Sequence, residues 1–107
     1  MTELRKRIEE LAIELTQIKS VVETPGERMM AQRIYDILSA LPYFAEDPHD
    51  LIKVPVENDS LDRFSVLAIV RGEKDFSLET VVSIGHLDTV GTSDYGRLEE
   101  FATQPHE

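Results

Sequence analysis

The sequence predicts an α/β fold with a mixed sheet: two amphipathic helices, a β-hairpin, then an apolar strand leading into a polar pair. Three observations carry this. Apolar residues recur at helical spacing over 2–19 and again over 24–40. They alternate or run on over 51–57 and 64–71, and return without polar interruption at Val81, Val82 and Ile84. A strand apolar on both faces belongs inside a sheet that is covered on both sides. The connection 72–79 is too short for a parallel crossover, so the 81–85 strand is expected to run antiparallel to 64–71 and in the sense of the first strand.

In the first helix Leu4, Ile8, Leu11, Leu15 and Ile18 form one stripe, with Thr2 to cap its start and Glu3 in the favourable first turn. The spacing is near-heptad but too short for a coiled coil, so core packing is the better reading. Arg5-Lys6-Arg7 is offset by Glu3, Glu9 and Glu10 and reads as a solvated face. Ser20-Val21-Val22-Glu23 breaks the pattern. Thr24-Pro25-Gly26-Glu27 then starts a second helix, with Thr24 as N-cap, Pro25 at the first position and Glu27 completing a capping box. Met30, Ile34, Ile37, Leu38 and Leu41 share its face, the Met29-Met30 pair reads as gap-filling core, and Pro42 ends the helix.

A polar loop follows over 43–50, where His49 reads as a surface histidine with no second ligand at helical or strand spacing. Leu51 to Glu57 is a strand with Ile52, Val54 and Val56 on one face, and Pro55 confines it to an edge. Asn58-Asp59-Ser60 turns the chain into the strand from Phe64 to Arg71, giving a hairpin with a long loop. Two helices and three strands leave most strand edges unpaired, which suggests that the domain is incomplete.

At 107 residues the chain fits one domain, and 41% hydrophobic with 30% charged residues argues against disorder. A formal charge of −10 repels phosphate backbones and argues against a nucleic-acid partner. There is no cysteine, which excludes disulfides and thiolate metal sites and is compatible with a reducing cytoplasmic setting. The first residues are charged with no apolar stretch behind them, so no signal peptide is expected. The longest apolar run is Val66 to Val70, too short to span a bilayer, so no membrane partner is expected either.

The chemistry concentrates at Gly85-His86-Leu87-Asp88-Thr89-Val90-Gly91. Ligands bind beyond the carboxyl ends of strands in α/β sheets, and His86 and Asp88 stand there. In extended chain the two share a face, with Cα atoms roughly 6.5–7 Å apart, so a carboxylate–imidazole contact is within reach. A neutral imidazole is a common zinc ligand, and its second nitrogen usually donates to a carboxylate that fixes the tautomer. The plainer reading makes His86 a polar cap on the strand end and Asp88 the start of a turn. One histidine cannot hold a catalytic metal, which needs at least three protein ligands. His49, Asp94, Glu99, Glu100, His106 and Glu107 show no spacing that singles them out.

Ser83-Ile84-Gly85-His86-Leu87-Asp88-Thr89-Val90 resembles the first metal-binding motif of the M20 metallopeptidases, in which an apolar strand leads into Gly-His-x-Asp-Thr-Val. The order upstream is similar as well: an N-terminal helix, a Thr-Pro-Gly-Glu helix start and a hairpin. Gly91-Thr92-Ser93-Asp94-Tyr95-Gly96, in place of the usual proline after Thr-Val, looks most like the arginine-utilisation branch of that family. The resemblance implies that residues 1–107 are the N-terminal portion of one zinc-exopeptidase-like catalytic domain. It implies His86 as a ligand to one ion of a two-zinc centre, with cobalt or manganese as substitutes, and Asp88 as the catalytic-site aspartate that orients His86. It implies a small-molecule or peptide amide as substrate and leaves the oligomeric state unassigned. The family's bridging Asp, Glu-Glu pair, further carboxylate and late His have no counterparts here. Glu99-Glu100 follows His86 too closely to be the Glu-Glu pair and reads as a solvated acidic stretch. The isolated chain is therefore expected to be inactive. The rival expectation is a small, acidic, non-catalytic binding module that keeps this piece of fold.

Overall fold

A computed structural model of the chain describes residues 2–73, 79–91, 96–98 and 104. The fold is α/β. Helix α1 (Thr2–Thr16) and helix α2 (Pro25–Ser39) are followed by a short α3 (Pro42–Glu46), a 3-10 turn (Pro48–Asp50) and strands β1 (Leu51–Pro55) and β2 (Phe64–Ala68). Among the described residues no helix is long and apolar enough to cross a membrane.

Strands β1 and β2 pair antiparallel, with Leu51 opposite Ala68 and Pro55 opposite Phe64. Bonds from Ile69 N–H to the Asp50 carbonyl (2.8 Å) and from Val56 N–H to the Arg63 carbonyl (3.0 Å) prolong the hairpin at either end. Pro55 sits in the last pair of β1, where a missing donor costs the ladder least. Helix α2 lies against both strands, and Met30, Ala31, Phe44 and Leu51 form the buried core at that junction. Asn58 and Asp62 take the left-handed backbone that closes the hairpin loop, a conformation their short polar side chains tolerate.

Several expectations need correction. The stripe of α1 stays out of the core: Leu4 and Ile8 are exposed, Leu11, Leu15 and Ile18 are only half-buried, and no residue of the helix is buried. Met30 enters the core but Met29 faces solvent. The capping box does not close. Thr24 Oγ1 turns back to donate to the Val21 carbonyl, and the Glu27 carboxylate takes the Glu23 N–H instead. Pro42 ends α2 and also opens α3 within the expected loop, because its fixed φ suits a first helical position. His49 is exposed in the 3-10 turn, as expected.

The largest difference is the 81–85 segment. It forms no strand, and Val81 and Ile84 are 92% and 93% exposed. Burying a strand on both faces takes a covering layer on each side and ladder partners along both edges. The described residues supply neither. Residues 87–89 are instead held by the chain that follows α1, through a parallel bridge between Val21 and Thr89. Asp94, Glu99, Glu100, His106 and Glu107 lie outside the described residues.

Candidate metal-ligand pair and its setting

Why the chain passes so close behind residues 86–89 begins with Gly26. A Cβ there would lie 1.7 Å from the Lys19 carbonyl oxygen, so only glycine lets the first turn of α2 press onto residues 19–20. Ser20 is thereby fully buried. Its hydroxyl donates to the Leu87 carbonyl at 2.6 Å, its own carbonyl accepts from Thr89 N–H at 2.9 Å, and Val22 N–H donates to the Thr89 carbonyl at 2.8 Å.

On this support His86 and Asp88 meet, but the imidazole bonds the Asp88 backbone and not the carboxylate that the spacing points to. The His86 Nδ1 lies 2.9 Å from the backbone carbonyl oxygen of Asp88 and 3.4 Å from its Oδ1. A carbonyl oxygen can only accept, so Nδ1 carries the proton, and in the neutral ring Nε2 keeps its lone pair. That is the tautomer that ligation through Nε2 needs. The imidazole is 85% exposed and the aspartate side chain 39% exposed, so the pair is open to solvent.

A cleft of about 400 Å³ runs between the pair, α2 and the hairpin, with Ile34, Leu38 and Phe64 as its apolar wall. Glu27 and Arg63 line it too. All three guanidinium nitrogens of Arg63 are engaged: Nε and Nη2 donate to the two oxygens of Asp59 at 2.8 and 2.9 Å, and Nη1 donates to Glu27 Oε2 at 2.9 Å. The guanidinium pulls the Asp59 carboxyl down to about 2, and Asp59 and Glu27 together raise Arg63 above its ordinary value. Sequence reading missed this knot, although Asp59 and Arg63 stand four apart across a turn. It also missed Ser20, whose only local signal is a polar residue heading an apolar pair just past a helix.

The donor set fits a metal only in part. His86 offers one ring nitrogen, and its Nδ1 lies against Asp88. Among the described residues no group of three or more histidine, aspartate or glutamate side chains could hold an ion.

Fold and site together define an α/β segment presenting one imidazole donor and its carboxylate partner beside an apolar cleft. Its sequence is 35% identical over 97 residues to "Protein RocB" of Bacillus subtilis (strain 168), covering 91% of this chain and 17% of that protein. It is 32% identical over 97 residues to "Uncharacterized protein YqjN" of the same organism, with the same coverage of both chains. The chain thus spans about one sixth of the length of the curated relatives it matches. No family model matches the chain, and no solved structure does.

Proposed function

We propose that this chain is part of the catalytic domain of a metal-dependent hydrolase of amide or peptide bonds, of the M20 kind, acting in the cytosol. The observation that carries the reading is the His86–Asp88 contact, with Nδ1 bound to the Asp88 carbonyl at 2.9 Å and Nε2 free. The likeness of residues 83–96 to the arginine-utilisation branch favours an amide substrate from arginine catabolism. The length of the curated relatives leaves ample chain for the other ligands and the general base.

In this role His86 Nε2 would hold one of two zinc ions. Asp88 holds the ring in one orientation and keeps the proton on Nδ1. The metal pair, when bound, polarises the scissile carbonyl and lowers the pKa of a water. The apolar wall of Ile34, Leu38 and Phe64 excludes bulk water from one side of the site. The described residues alone lack the ligand count for catalysis, and the 107-residue chain is expected to hydrolyse nothing.

Calorimetric titration of the chain with zinc tests this. Binding heat that disappears in His86→Ala supports the reading, and zinc binding of undiminished strength in His86→Ala sinks it. Zinc-dependent amide hydrolysis by the purified 107-residue chain would contradict the division of labour.

A further inference from the structure

We infer that Ser20 is the positioning residue of the His86–Asp88 pair, an assignment that rests on the metal-ligand reading above. Ser20 has no exposed surface, and its hydroxyl donates at 2.6 Å to the carbonyl of Leu87, the residue between the two polar side chains. That bond fixes the peptide plane entering Asp88. The plane leaving Asp88 is fixed as well, because Thr89 N–H donates to the Ser20 carbonyl at 2.9 Å. A trans peptide is planar, so its N–H and C=O point in opposite directions. Aiming Thr89 N–H at Ser20 therefore aims the Asp88 carbonyl away from it, and that carbonyl is the one His86 Nδ1 reaches at 2.9 Å. The Ser20 hydroxyl thus sets the first plane, and the Ser20 main-chain carbonyl sets the second, which carries the carbonyl that the imidazole reaches.

Ser20 is itself set by the contact of Gly26 with the Lys19 carbonyl. The line of support runs from the first turn of α2, through Ser20, to Leu87 and Thr89, and ends at His86. Any buried hydroxyl needs an acceptor. This hydroxyl has one, and it lies 67 residues away in sequence, in the segment that carries the candidate ligand.

The test compares Ser20→Ala, Ser20→Cys and, as a control for general loss of stability, Ala31→Gly in the core of α2. Long-range proton–nitrogen spectra of the His86 imidazole report which ring nitrogen carries the proton, with no metal present. The parent chain should hold the Nδ1–H form, Ser20→Ala should shift toward the mixture of an unrestrained histidine, and Ser20→Cys, a weak donor, should fall between. Zinc affinity should drop by about tenfold in Ser20→Ala. An unchanged spectrum in Ser20→Ala, or an equal shift in Ala31→Gly, would overturn the assignment. If His86→Ala leaves zinc uptake intact while Ser20→Ala still alters the tautomer, the metal reading fails and the positioning role stands.

Discussion

Gly26 and Lys19 meet backbone to backbone: a Cβ on Gly26 would sit 1.7 Å from the Lys19 oxygen and 2.8 Å from its carbonyl carbon. No side-chain rotation relieves such an overlap, so Gly26→Ala must displace α2 or the 19–20 segment. The expected loss is about 1–3 kcal/mol, read as a lower urea midpoint. Gly85→Ala is the contrast. Nothing lies within 4 Å of its Cβ position, and the midpoint should move little. Equal effects of the two substitutions would contradict the contact.

The Asp59–Arg63 pair gives the protein an acid limb. Arg63 holds Asp59 at about 2, below its ordinary 3.8, so the folded chain binds that proton more weakly than the unfolded chain does. The stabilisation is complete above the unfolded value and is lost as pH falls from there through about 2. Asp50, lowered by its bonds from Arg71 and then Tyr43, acts in the same direction. In Asp59→Asn the fall of the urea midpoint between pH 5 and pH 2 should be shallower, a comparison made by denaturation across that range. A slope equal to the parent's would remove Asp59 from the account.

Asp88 offers His86 two acceptors, and the backbone one is nearer, at 2.9 Å against 3.4 Å for the carboxylate. Asp88→Asn keeps the nearer one. It should preserve the Nδ1–H tautomer and weaken zinc binding by roughly tenfold, whereas His86→Ala removes the ligand outright. Calorimetry separates the two variants, and complete loss in Asp88→Asn would make the aspartate a ligand instead of an orienting group.

Val81, Val82 and Ile84 lie open to solvent outside any strand. Unpaired backbone beside exposed β-branched side chains is a template for pairing with another copy. Ile84→Lys should lower self-association in light scattering while leaving the unfolding midpoint within about 0.5 kcal/mol, as for surface substitutions generally. A large loss of stability would show that Ile84 packs against something.

What the sequence made legible follows the range of the interactions involved. Both long helices and the hairpin are local patterns, and they appear within a few residues of where periodicity puts them. The His86–Asp88 contact was legible for the same reason, since two residues apart in extended chain is a local geometry. Pro42 was half read: the residue that stops one helix also starts the next, and α3 was lost in an expected loop. The 81–85 strand failed differently. An apolar run records what a segment would bury given partners, and the described residues provide none. Ser20 was invisible because its bond spans most of the chain and leaves no pattern around it.

The bridge between residues 20–22 and 87–89 also sets an order of events. Closing a flexible loop of 67 residues costs about 4 kcal/mol of chain entropy, and three hydrogen bonds return roughly 1 kcal/mol each. The bridge cannot hold by itself and forms only once the helices and hairpin between its ends have shortened the effective loop. Val22 and Thr89 amides should then exchange with solvent well before those of α2 and β1, in a local opening that leaves the core intact. The histidine would be the last part of this chain to find its place and the first to lose it.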